Sequence, residues 1–206
     1  MSKASMQSPW QQTLSDAGFV QRRRWFLREE ANIVQCIVVE RPSQLIYPTY
    51  CILPLYLPCP VRHFTYGRRI SEVTGYRNAA DINTLALANA LERSIFPFFE
   101  HTRTPALLFQ YLQNEAGAQH FFFCPPVELA KLTAYTALYL YDLPHFYEAL
   151  EKTEHLLDGT SCYTERSKAD LRLELQRLRE VAAHGSAAIQ CFFAETIAAG
   201  RGVTLR

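Results

Sequence analysis

Two histidine–carboxylate pairs stand at helical spacing in the second half of the chain. His145 and Glu148 are three residues apart, and Glu151 and His155 are four apart. On a helix each pair shares a face, and imidazole with carboxylate is a donor set for a metal ion. A metal centre needs a third ligand, and the sequence places none beside either pair. Solvated side chains on a helix surface are the plainer reading, so neither a metal site nor a cofactor is expected. Cys59 or Cys124 with His63 or His120 would supply a nucleophile and a base. Each cysteine flanks a proline in a structural break, and nothing fixes the geometry of such a pair. The chain contains no Gly-rich phosphate loop, no G-x-S-x-G elbow and no H-E-x-x-H helix.

The arginines form the more suggestive set. Lysine occurs only at Lys3, Lys131, Lys152 and Lys168, so arginine carries most of the positive charge. Phe19 to Arg28 alternates with the period of a strand, which puts Arg22, Arg24, Phe26 and Arg28 on one face and Gln21, Arg23, Trp25 and Leu27 on the other. Arg68 and Arg69 follow further along, with Arg62 and Arg77 nearby. Guanidinium groups suit carboxylates, phosphates and aromatic faces. Arg22, Arg24, Phe26, Arg28, Arg68 and Arg69 are therefore the candidate partner-binding residues, against the alternative of an ordinary solvated sheet face.

The element that must position them is an antiparallel sheet. Phe19 to Arg28 is read as its first strand. Glu29-Glu30-Ala31-Asn32 is read as a hairpin loop, and Ile33 to Val39, rich in β-branched residues, as a central strand. Tyr50 to Leu57 is a third strand, made an edge or broken by Pro54. A short helix precedes the sheet, opened by Ser8-Pro9 and closed by Gly18 with Phe19 beyond it. After the sheet, Asp81 or Asn83 caps a helix carrying Leu87, Leu91 and Ile95, and Pro97 ends or kinks it. Thr104-Pro105 starts another, with Leu108 and Tyr111 on its buried stripe.

The second half reads as helices throughout. Pro125-Pro126 opens one that runs to about Tyr141, and Asp142-Leu143-Pro144 turns the chain into the next. Asp158-Gly159-Thr160-Ser161 is a linker. Thr164 caps a third helix with Leu171, Leu175 and Leu178. Gly185-Ser186 introduces a fourth, and Gly200 and Gly202 lead into a tail expected to fray.

The 206 residues carry 21 basic and 20 acidic side chains, a formal net charge of +1. That balance speaks against a dedicated nucleic-acid binder. No apolar run approaches the roughly 20 residues that span a bilayer, and the first residues lead into no hydrophobic region of the kind a signal peptide has. The six cysteines contain no C-x-x-C pair. Reduced thiols, mostly buried, in a cytoplasmic protein are the expectation.

Three pieces together resemble a bacterial domain-of-unknown-function family, number 4304. They are Leu14-Ser15-Asp16-Ala17-Gly18-Phe19 with Gln21-Arg22-Arg23-Arg24-Trp25-Phe26, then Gly67-Arg68-Arg69-Ile70, then Ile95-Phe96-Pro97-Phe98-Phe99-Glu100. The resemblance covers about residues 10–115. Glu40-Arg41-Pro42-Ser43 departs from the family's usual Gln and Lys-Ser pattern in the middle strand. The resemblance implies a fold and no activity. Leu129 to Leu150 also resembles one helical hairpin of tetratricopeptide type, and an array needs about three such units.

Strands first and helices second predict an α+β fold: a small antiparallel sheet with covering helices over residues 1–115, followed by a helical C-terminal half, residues 116–206, packed on it. The expected function is a non-catalytic protein-binding module, such as an immunity or adaptor protein, with a protein partner that is acidic. The alternative is an enzyme whose site gathers scattered residues such as His63, Arg69 and Glu100.

Overall fold

The computed structural model describes residues 9–40, 47–58, 65–74, 84–114, 117, 120–121 and 124–204. Helix α1 (Pro9–Asp16) leads into a sheet of β1 (Val20–Arg22), β2 (Trp25–Glu30), β3 (Ile33–Glu40), β4 (Tyr47–Pro54) and β5 (Gly67–Arg69). The five strands are antiparallel and lie in chain order, a meander with β3 at its centre. Then come α2 (Ile70–Thr74), α3 (Thr84–Ala90), a π-helical turn (Leu91–Ile95), α4 (Phe96–His101) and α5 (Pro105–Leu112). The C-terminal half is α6 (Pro126–Tyr139), α7 (Leu143–Gly159), α8 (Glu165–Ala183) and α9 (Ser186–Thr204). The fold is thus α+β, with a helical C-terminal half.

Strand alternation decides what each face buries. On β3, Ile33 and Ile37 join the main core with Phe26, Tyr50 and Ile52, while Val34, Cys36 and Val38 form a second cluster with Trp25, Leu27, Cys51 and Leu53. The main core continues without a break through Phe98, Phe99, Leu132, Leu138, Phe146, Leu175 and Phe193, so both halves of the chain share it. Glu128 on α6 adds a polar tie. Its carboxylate accepts the Tyr163 hydroxyl at 2.5 Å and the Tyr66 hydroxyl at 3.3 Å, with Lys131 at 3.2 Å.

Several local expectations need correction. Phe19 to Arg28 is not one strand: the chain reverses at Arg23-Arg24, and β1 folds back on β2 with Arg22 opposite Trp25. Glu29 and Glu30 belong to β2, and the next loop is only Ala31-Asn32, both at positive φ (47° and 66°) as a tight hairpin turn requires. The third strand starts and ends three residues earlier than expected. β4 lies between β3 and β5, which removes the edge alternative, and it stops at Pro54, as the broken-strand alternative has it. Pro97 does not end the helix, which runs on through α4 to His101. It sits just after the π-turn, where the ladder has already shifted. The last helix continues through Gly200 and Gly202 to Thr204. Gly200 is there because a Cβ would lie 3.1 Å from the Leu55 carbonyl, so glycine lets α9 approach the end of the sheet. Ser8, Asp81 and Asn83, named as caps, lie outside the described residues.

Candidate docking site

The β1–β2 hairpin is built from a buried root and an exposed tip. Trp25, Phe26 and Leu27 are all buried, so β2 faces core on both sides. Phe26 meets Trp10 of α1 edge-on, with ring centroids 5.4 Å apart. By contrast every residue of β1 is exposed, Val20 by 56 %. The turn residues Arg23 and Arg24 are exposed as well. Arg23 has φ 57°, a left-handed conformation that costs a side-chain-bearing residue energy. Its carbonyl accepts the Gln21 amide at 3.1 Å, a short-range brace across the turn.

Arg28 behaves quite differently. It is half-buried over the Phe19 ring, 5.0 Å from the centroid. Its Nε donates to Gln35 Oε1 at 2.7 Å, Nη1 to the Ala17 carbonyl at 3.0 Å and Nη2 to Glu100 at 3.3 Å. Glu100 in turn holds Arg103 at 3.3 Å. Gln35, fully buried, donates to the Phe99 carbonyl at 2.8 Å. Arg28 therefore joins the turn after α1, β3 and α4 and is a structural residue.

The six sequence candidates do not form one surface. Arg22 and Arg24 stand at the hairpin tip, Phe26 lies in the core, and Arg28 is consumed by its network. Phe26 was expected beside Arg22 and Arg24 on one face; the reversal at Arg23-Arg24 separates them. Arg68 and Arg69 occupy β5, at the opposite edge of the sheet. Arg68 is half-buried 3.5 Å from Glu72, and Arg69 is exposed. Arg23, read from the sequence as belonging to the other face, joins Arg22 and Arg24 instead. Ten ion pairs engage other arginines, lysines and a histidine of the described residues, and none of them involves Arg22, Arg23 or Arg24. Glu29 and Glu30, the nearest acids along β2, are occupied by Arg201 at 2.7 Å and Arg103 at 4.0 Å.

The other chemistry read from the sequence is dispersed. His63 and Cys59 lie outside the described residues, Glu100 is engaged by Arg28 and Arg103, and Arg69 sits on the far edge strand. His120 stacks flat on Phe98 at 4.0 Å and lies 3.4 Å from the Tyr50 hydroxyl. Burial, helped by the Arg68 charge, pulls its pKa down to about 4, so the ring is neutral near pH 7. Burial together with the Glu128 carboxylate pushes the Cys124 thiol up to about 12, which removes the thiolate a nucleophile needs. His145 Nδ1 binds Asp142 at 2.8 Å, and Asp142 also accepts the His145 backbone N–H, an arrangement that caps α7. His145 and Lys152 rim a crevice of about 270 Å³ between α5, α6 and α7, floored by Leu112, Leu129, Ala149 and Leu156. Among the described residues no group of three His, Cys, Asp or Glu is placed to hold a metal ion.

No family model, curated protein or solved structure matches the chain. What defines it is its own architecture: an α+β protein with an antiparallel meander, one edge of which ends in an exposed arginine turn. Among the described residues no helix is long and apolar enough to cross a membrane.

Proposed function

We propose that the chain is a non-catalytic protein-binding module of the cytoplasm, of the immunity or adaptor kind, that docks an acidic protein partner through the tip of the β1–β2 hairpin. One observation carries this reading: Arg22, Arg23 and Arg24 are exposed together with no carboxylate partner among the described residues, while most arginines around them are paired. Three like charges at a turn repel one another, and Arg23 adds backbone strain. The turn closes the β1–β2 hairpin, but the three guanidinium groups make no ion pair among the described residues, which is what a surface kept for binding would look like. Folding itself would be better served by Asn or Gly at the turn. The balanced net charge favours a protein over a nucleic-acid backbone.

The test is affinity capture from the source cell with wild type and with an Arg22→Ser, Arg24→Ser variant, at low and high salt. The reading expects a co-purifying acidic protein that the variant retains poorly at low salt. The difference should shrink when salt screens the contact. Equal recovery by both proteins at low salt would overturn it.

A further inference from the structure

We infer that β1 is a receptor edge: it accepts an extended acidic peptide segment as a sixth strand, with Arg22, Arg23 and Arg24 binding the carboxylates of that segment. This rests on the docking reading above and goes beyond it by fixing the partner's backbone conformation.

The geometry for strand addition is in place. β1 is the first strand of the sheet order and, among the described residues, has a ladder partner on one side only. A strand in that position leaves backbone N–H and C=O groups directed outward, a template for another chain. All three β1 side chains are exposed. The segment is short. Three residues at about 3.4 Å each offer only about 10 Å of edge, so main-chain pairing alone would be weak, and the charged tip must supply much of the affinity.

Charge then selects the occupant. An unprotected edge invites pairing with a second copy of the same strand. Here such pairing would bring two arginine tips together or set arginine against Arg22, and like charges directly opposite destabilise a pair. The arginines therefore disfavour self-association and reward a strand whose facing residues are acidic. Val20 and Arg22 share one face of β1, so a strand with acids opposite those two sets the threonine between the acids opposite Gln21. A nucleic-acid backbone could meet the guanidinium groups but has no amide donors for the edge.

The probe is a fluorescein-labelled ten-residue peptide of alternating Glu and Thr, followed by anisotropy at low salt. Two further peptides carry N-methyl groups on every Glu or on every Thr, and an oligothymidylate matches the first peptide in charge. Only alternate residues of an added strand turn their N–H towards the edge. One of the two methylated peptides should therefore bind about tenfold more weakly and the other nearly as well as the parent. Amide hydrogen exchange at Gln21, the β1 residue that alternates with the β2-paired Val20 and Arg22, should slow on binding. Arg22→Ser with Arg24→Ser should weaken the parent peptide by about tenfold or more. If both methylated peptides match the parent while the arginine variant still loses binding, strand addition is wrong and charge docking stands. Tighter binding of oligothymidylate would overturn the peptide occupant. If no probe binds, the edge inference falls, and the docking reading is then decided by the capture comparison alone.

Discussion

Arg28 and Gln35 face each other as register partners on β2 and β3, and the guanidinium Nε donates to the amide oxygen at 2.7 Å. Gln35 is fully buried in the middle of an otherwise apolar sheet face, between Ile33 and Ile37. It is tolerated because both ends of its amide are used: Oε1 by Arg28 and Nε2 by the Phe99 carbonyl. The consequence is a strict orientation of α4 over the sheet.

Replacing Gln35 with Leu keeps the volume and removes both bonds, leaving the Phe99 carbonyl and Arg28 Nε short of partners. The expected loss is about 2–3 kcal/mol of stability, read from chemical denaturation midpoints at unchanged slope. Arg28→Met should cost about 2 kcal/mol for the same reason, since the Ala17 carbonyl and Glu100 also lose a donor. Arg24→Ala, on the exposed turn, should change stability by less than about 0.5 kcal/mol. Equal effects at positions 24 and 28 would refute the division of the hairpin into a structural root and a free tip.

The α+β class, the central position of β3 and the helical C-terminal half were legible because they rest on long periodic patterns. The hairpin tip was not. Its turn contains neither Gly, Asn nor Pro, and Phe19 to Arg28 alternates through the reversal as smoothly as an unbroken strand would. The clue lost in that reading is that Trp25, Phe26 and Leu27 are three consecutive large apolar residues. Such a run needs core on both sides, and an isolated arginine face on the same strand contradicts it. Gln35 was equally hidden, because its partners Arg28 and Phe99 are set by register and helix docking, which no local pattern encodes.

His120 carries the clearest pH dependence. Its pKa in the fold is about 4, against an ordinary value of 6.5. Below 6.5 the unfolded chain takes up a proton that the folded ring resists. The neutral ring's contribution is therefore fully present above 6.5 and is lost as pH falls towards 4. In His120→Phe, which keeps a ring against Phe98, the stability curve should be flatter between those values, even if its level is lowered by the lost contact to Tyr50. An NMR titration showing His120 protonating near 6.5 would remove the basis for this.

The cysteines should divide by exposure. Cys162 and Cys191 are exposed, whereas Cys36 and Cys51 are fully buried register partners on β3 and β4, and Cys124 is buried with its thiol pushed up to about 12. Brief alkylation of the native protein without reductant, followed by peptide mapping, should label Cys162 and Cys191 well before these three. Unfolding should expose the rest. Rapid native labelling of Cys36 or Cys51 would mean that the second face of the sheet is not covered as described.

The turn itself yields the sharpest contrast between stability and binding. Arg23 occupies a left-handed conformation at φ 57°, which disfavours a residue with a Cβ by roughly 1 kcal/mol and costs glycine almost nothing. Glycine also loses more freedom on folding, which offsets part of that gain. Removing one of three adjacent like charges adds a small further benefit. Arg23→Gly should therefore raise stability by about 0.5 kcal/mol or more, seen as a higher denaturation midpoint. The same substitution should weaken the acidic peptide probe, because it deletes one of the three guanidinium groups at the tip. Arg23→Ala separates the two effects: it removes the charge and keeps the strain, so it should bind as weakly as the glycine variant without its gain in stability. A destabilised glycine variant would show that the Arg23 side chain supports the hairpin, and the turn would then be a structural feature of the fold and not a surface held ready for a partner.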